Sequence, residues 1–148
     1  MLIRHATQSD LAEWLRLRSR LWPDCPMEDH QSEIQEQLND PAHNAVFVVE
    51  QTIDQLGGFL EASLRPFVED CHTSPVGYLE GWYVDVDLRQ QGLGGELVKA
   101  AEQWASAQGC HEMASDCELD NNVSLKSHLA LGYAETGRLI HFRKSLKA

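Results

Sequence analysis

The spacing of apolar positions changes several times along the chain, and each change marks an element. "MLIRHA" (Met1 to Ala6) fits a short opening strand. "TQSDLAEWLRLRSRLW" then begins with Thr7 and Asp10 at capping-box-like spacing and carries Leu11, Leu15, Leu21 and Trp22 near helical period, until Pro23 stops the helix. "MEDHQSEIQEQLND" predicts a second, more polar helix with Ile34 and Leu38 as its apolar stripe. "AVFVVE" (Ala45 to Glu50) and "GGFLEASLR" (Gly57 to Arg65) read as strands around a turn, and a polar loop with Pro66 and Pro75 leads to a strand over "YLEGWYVDVD". "ELVKAAEQWASAQG" is an amphipathic helix, "HEMASDCE" a further extended piece, and "NNVSLKSHLALG" a short helix capped by Asn121 or Asn122 and closed by Gly132. "YAETGRLIHFRKSL" predicts a final strand segment. The order β-α-α-β-β-β-α-β-α-β implies one mixed α/β sheet with helices on its faces.

Length and composition narrow the class without deciding the function. At 148 residues and 43% hydrophobic content the chain suits one domain with a single core. No apolar run reaches the roughly 20 residues of a membrane span, and no h-region opens the chain, so a cytoplasmic protein is expected. Cys25, Cys71, Cys110 and Cys117 lack C-x-x-C spacing, which favours free thiols over zinc ligands. The net charge of −11 repels nucleic acid and anionic lipid and draws cations to any acidic cleft. Glu28, Asp29, Glu33 and Glu36 crowd the second helix, as a solvated face or as the rim of such a cleft.

"LRQQGLGGEL" (Leu88 to Leu97) is the most informative stretch. Glycine at a helix start disfavours the helix by up to about 1 kcal/mol per residue, yet Gly92, Gly94 and Gly95 stand there between a strand and a helix. Such a turn aims backbone N–H groups and the positive end of the helix dipole at one point, which suits a phosphate. It lacks the Lys-Ser/Thr of a P-loop, and the first strand carries no dinucleotide fingerprint.

Arg89-Gln90-Gln91-Gly92-Leu93-Gly94 follows R-x-x-G-x-G and resembles the acyl-CoA pyrophosphate loop of the GNAT superfamily of N-acetyltransferases. The element order matches that superfamily over nearly the whole chain. "SPVGYLEGWYVDVDLRQQGLG", "GCHEMASDCELDNNVSLKSHLALGY" and "RSRLWPDCP" further resemble its aminoglycoside 6′-N-acetyltransferases. The resemblance implies a single GNAT domain over residues 1–148, acetyl-CoA as co-substrate with no metal, and an aminoglycoside as acceptor. It also implies a homodimer, with the tail "GRLIHFRKSL" shared between copies or serving as an ordinary edge strand.

Residue by residue, the resemblance assigns Trp82, Tyr83 and Val84 to the thioester arm through their backbone, with the Val84 N–H near the thioester carbonyl. Gln90, Gln91, Gly92, Leu93, Gly94 and Gly95 would hold the pyrophosphate. Arg89 opens that loop, pairing with a phosphate or packing on the helix. Glu80 is expected to bind substrate ammonium groups and relay a proton; its alternative is a solvated strand carboxylate. Strand alternation puts Glu80 and Trp82 on one face and Tyr83 on the other unless a bulge intervenes. Asp116 joins Glu80 at the acceptor site. Trp22 is either a core plug or the acceptor wall, and Phe67 stands where relatives often have tyrosine. His128 falls where many relatives have a tyrosine general acid; a histidine with an ordinary pKa of about 6.5 suits that role, and water is its alternative. Asn121 is expected to bond the pantetheine. His5, His30, His43, His72, His111 and His141 show no chelating pattern.

Overall fold

The computed structural model describes residues 1–147. In chain order they form β1 (Leu2–His5), a 3-10 turn at Gln8–Asp10, α1 (Leu11–Leu21), α2 (Met27–Asn39), β2 (Asn44–Thr52), β3 (Gln55–Arg65), β4 (Val76–Val84), α3 (Leu93–Ala107), β5 (Met113–Ser115) and α4 (Asn122–Ala130). The chain falls into two compact units, one spanning Met1–Asp116 and the other beginning at Cys117.

The first unit is built on a five-stranded sheet in the order β1-β2-β3-β4-β5. Neighbouring strands run antiparallel through β4, and β5 returns parallel to β4 after the α3 crossover. One face of the sheet carries Val46, Val48 and Phe59 against Trp14, Leu17 and Ile34 of α1 and α2. The other receives α3, whose Leu97, Val98, Ala101 and Ala105 are buried.

Helix α1 departs from its expected stripe. Leu11, Leu15 and Leu21 are half-buried, and the helix commits Trp14, Leu17 and Arg18 to the interior. Burying an arginine is tolerable only with a full set of partners. Glu61 of β3 supplies them: its carboxylate accepts from Arg18 Nε at 2.7 Å, Arg18 Nη2 at 2.9 Å, Trp14 Nε1 at 2.9 Å and Gln37 Nε2 at 3.0 Å. At the helix entrance the Thr7 N–H donates to Asp10 at 2.8 Å, as the capping spacing predicted.

The second unit corrects one expectation. Asn121 is the cap of α4, its Oδ1 accepting from the Ser124 N–H at 3.1 Å. Residues 133–147, however, form no strand, and Leu139, Ile140, Phe142 and Leu146 are exposed. Alternating apolar residues make a strand only where another strand satisfies the ladder, and this unit offers none.

Candidate active site

Two features of β4 set it apart from its neighbours. Strand β5 pairs with it at Gly77, Tyr78 and Leu79, so among the described residues the β5 ladder stops before Glu80 and β4 runs on to Val84. On its inner side the register with β3 slips between Glu61 and Ala62: Glu61 faces Gly81, Ala62 faces Leu79, and Glu80 is the extra residue of a bulge. The bulge resets the faces. Trp82 pairs with Leu60 and packs on α3, while Tyr83 pairs with Phe59 and joins the α1–α2 core. Glu80 shares the face of Ser63 and Arg65, opposite to Trp82, so simple alternation fails here.

Four residues after β4 ends, the chain enters the glycine turn. Gln90 and Gly92 have φ of 64° and 81°, and Gly92 is the N-cap of α3. The first bond inside α3 runs from the Glu96 N–H to the Gly92 carbonyl at 3.0 Å, which leaves the amides of Leu93, Gly94 and Gly95 outside the helical ladder. A Cβ on Gly94 would lie 3.2 Å from the Trp82 indole, so glycine lets the helix start sit close to the strand. Arg89 does not lie along this helix. Its Nε donates to the Val84 carbonyl at 2.8 Å and its guanidinium sits 5.4 Å from the Tyr83 ring, fastening the turn to the strand end.

Two carboxylates, Glu80 and Asp116, have partners on β3 and at the start of β4. Asp116, directly after β5, accepts a bond from the Tyr78 hydroxyl. Burial first, then that bond, pushes Tyr78 above the ordinary phenol range, so it stays a donor. Glu80 accepts from Ser63 Oγ and is gripped by Arg65, with Nη2 at 2.6 Å and Nε at 3.0 Å. Trp22 closes the bulge from α1: a Cβ on Gly81 would stand 2.4 Å from its Cη2. The indole is half-buried, edge-on to Phe59, stacked on His30 and capped by the Arg18 guanidinium at 4.8 Å. It therefore plugs the core and lines the bulge at once.

The Acetyltransferase (GNAT) family model matches residues 9–133. The chain belongs to the GNAT family of acetyltransferases. It is 44% identical to the aminoglycoside N(6′)-acetyltransferase type 1 of Klebsiella aerogenes over 98% of its own length and 97% of that protein's. To the Serratia marcescens protein of the same name it is 41% identical, covering 93% and 94% of the two chains. The structure of AAC(6′)-Iy in complex with the bisubstrate analogue CoA-S-monomethyl-acetylneamine superposes with a TM-score of 0.90 at 39% identity, covering 97% of each chain.

The first unit holds the glycine turn and the part of β4 beyond its pairing with β5, together with Glu80, Asp116 and Trp22. It leaves Phe67 on the loop after β3 with 71% of its surface exposed. Asn121 and His128 belong to the second unit. The Asn121 cap uses Oδ1, so what this side chain offers a ligand is its Nδ2 donor. His128 Nδ1 donates to the Ser124 carbonyl at 2.7 Å, which in the neutral ring makes Nε2 the proton-accepting nitrogen. As a general acid His128 must therefore be doubly protonated.

Sequence reasoning missed Ser63, Arg65 and Tyr78 as site residues, and Glu61 and Arg18 beneath it. Nothing in the local pattern distinguishes them; their partners lie 15 to 47 positions away. It also missed the approach of Cys25, His30 and Glu33, whose ligand atoms lie within 4.8 Å of one another. Arg18 donates to His30 Nδ1 at 2.9 Å and to Glu33 at 2.7 Å, so a cation already serves two of these three groups and the set is a poor metal site. The α2 acids Glu28, Asp29 and Glu36 are exposed.

Proposed function

We propose that this chain transfers an acetyl group from acetyl-CoA to the 6′-amine of aminoglycoside antibiotics by direct attack in a ternary complex, so conferring resistance. The observation that carries the reading is a pair of carboxylates, Glu80 and Asp116, on and next to a β4 strand that runs past its pairing with β5 toward a phosphate-ready helix start, in a chain alike over nearly its whole length to enzymes named for this reaction.

Each part has a task that its chemistry suits. The amides of Gln90 to Gly95 hold the pyrophosphate through backbone donors and the α3 dipole. Trp82 to Val84 present strand-edge groups to the pantetheine, and a preset N–H at Val84 stabilises the developing oxyanion. The resemblance assigns Asn121, in the second unit, a pantetheine bond, for which its side chain has the Nδ2 donor. Glu80 and Asp116 hold ammonium groups of the acceptor, and Trp22 stacks against a sugar ring or cation. Attack needs a neutral amine: the N–C bond forms as the C–S bond breaks, Glu80 takes the amine proton through water, and the thiolate takes a proton, a step the resemblance assigns to His128 with water as the alternative. No cysteine is given a covalent role.

The whole chain acts as one catalytic domain, in keeping with a family match that runs through the boundary at residue 116. The functional form is a cytoplasmic homodimer. The described residues contain no helix long and apolar enough to cross a membrane, and the exposed apolar tail over 133–147 suits pairing with a second copy.

A thiol-release assay tests the reading. Kanamycin and tobramycin are acetylated, whereas spermidine, a lysine peptide and a kanamycin analogue with hydroxyl at the 6′ carbon are not. Turnover of spermidine or peptide without kanamycin turnover assigns the chain to another amine.

A further inference from the structure

The Glu80 carboxylate is already occupied by a cation from its own chain. Arg65, the last residue of β3, reaches it with two donors, Nη2 to Oε1 at 2.6 Å and Nε to Oε2 at 3.0 Å, and Ser63 Oγ adds a third bond to Oε2. The guanidinium lies 3.5 Å from the centre of the Tyr78 ring, whose hydroxyl bonds Asp116. Arg65 thus stands over the whole acceptor pair, bidentate to one carboxylate and stacked on the donor of the other.

A carboxylate offers about four lone-pair positions. Three of those on Glu80 are filled from within the chain, so a protonated amine that engages Glu80 fully must take the place of an Arg65 contact. Arginine cannot escape by losing its proton. It can move: both side chains remain partly open to solvent, 41% for Arg65 and 34% for Glu80, and the chain after Arg65 is the exposed loop at Pro66 and Phe67.

We propose that Arg65 is a specificity-determining residue that competes with the acceptor's ammonium groups for Glu80 and so sets the acceptor KM. The inference rests on the reading of Glu80 as part of the acceptor site. A weakly cationic amine fails to displace the guanidinium, whereas a polycation with several ammonium groups gains from Asp116 at the same time. The arrangement favours acceptors of high positive charge over singly charged amines.

Steady-state kinetics with kanamycin at saturating acetyl-CoA test this on Arg65→Gln, which keeps a planar group over Tyr78 and removes the charge. Because the pair is part-exposed, the acceptor KM is expected to fall about two- to fivefold, with kcat changing by less. Arg65→Lys, which keeps the charge but loses the fork, gives a smaller fall and serves if the glutamine variant does not fold. In a Glu80→Gln background the Arg65 effect disappears. A risen or unchanged KM for Arg65→Gln, or a tenfold loss of kcat at constant KM, overturns the competition and makes Arg65 a residue that orients Glu80. If Glu80→Gln alone leaves kanamycin kinetics as they were, the acceptor-site reading itself has failed. If it impairs them while Arg65→Gln does nothing, only the competition has failed.

Discussion

The indole of Trp82 lies so close to Gly94 that a Cβ added to the glycine would stand 3.2 Å from it. Strand β4 and the start of α3 therefore touch through a residue with no side chain, which brings the helix N-terminus to the strand edge. Two residues earlier, Gly92 meets a different demand: its φ of 81° is a left-handed conformation with open space around it.

Gly92→Ala isolates the conformational demand. Alanine fits the space but not the backbone angle, at a cost of about 1–2 kcal/mol. The expected result is a melting temperature several degrees lower together with weaker coenzyme A binding by calorimetry. An unchanged affinity would show that the turn does not hold the pyrophosphate.

Gly81→Ala acts on Trp22, the proposed acceptor wall. Its Cβ would overlap the Trp22 ring, which must shift away from the bulge. Acceptor KM should rise several-fold while coenzyme A affinity, read by calorimetry, stays at the parent value.

Tyr78→Phe removes the donor to Asp116 and keeps the ring under Arg65. Loss of one hydrogen bond to a charged group is worth about 1.5–3 kcal/mol, so kcat/KM for kanamycin should drop by at least tenfold. Because Tyr78 is held above the ordinary phenol range, the parent pH–rate profile should show no tyrosine limb up to pH 10.

Glu61→Ala breaks the buried pair beneath the bulge. Arg18, 3% exposed and left with the half-exposed Glu33 as its counter-charge, should destabilise the fold by about 2–4 kcal/mol in urea unfolding. A loss below 1 kcal/mol would mean that α1 is held by its apolar contacts alone.

Acid stability follows from Asp10. The Arg4 guanidinium holds its carboxyl below the ordinary value of 3.8, with bonds at 2.8 Å to both oxygens. The unfolded chain binds that proton more readily, so the stabilisation is complete above the ordinary value and drains away as pH falls through the lower, folded one. Urea midpoints measured from neutral pH downward should converge for the parent and Arg4→Gln in acid and separate at pH 7.

The amino-acid pattern by itself determined the order of elements through α4, the glycine turn and the family, because these depend on local periodicity or on short runs of residues. Tertiary structure decided the rest. Whether Glu80 and Trp82 share a face depends on one extra residue in β4, which no alternation pattern reveals. Arg65 and Glu80 are 15 positions apart and meet only because β3 and β4 pair in that register. Arg18 looks like a surface residue of α1 until Glu61, 43 positions away, makes its burial affordable. The tail over 133–147 has a strand's alternation but no ladder partner within its unit, and backbone pairing, unlike side-chain pattern, is not a property one segment can have alone.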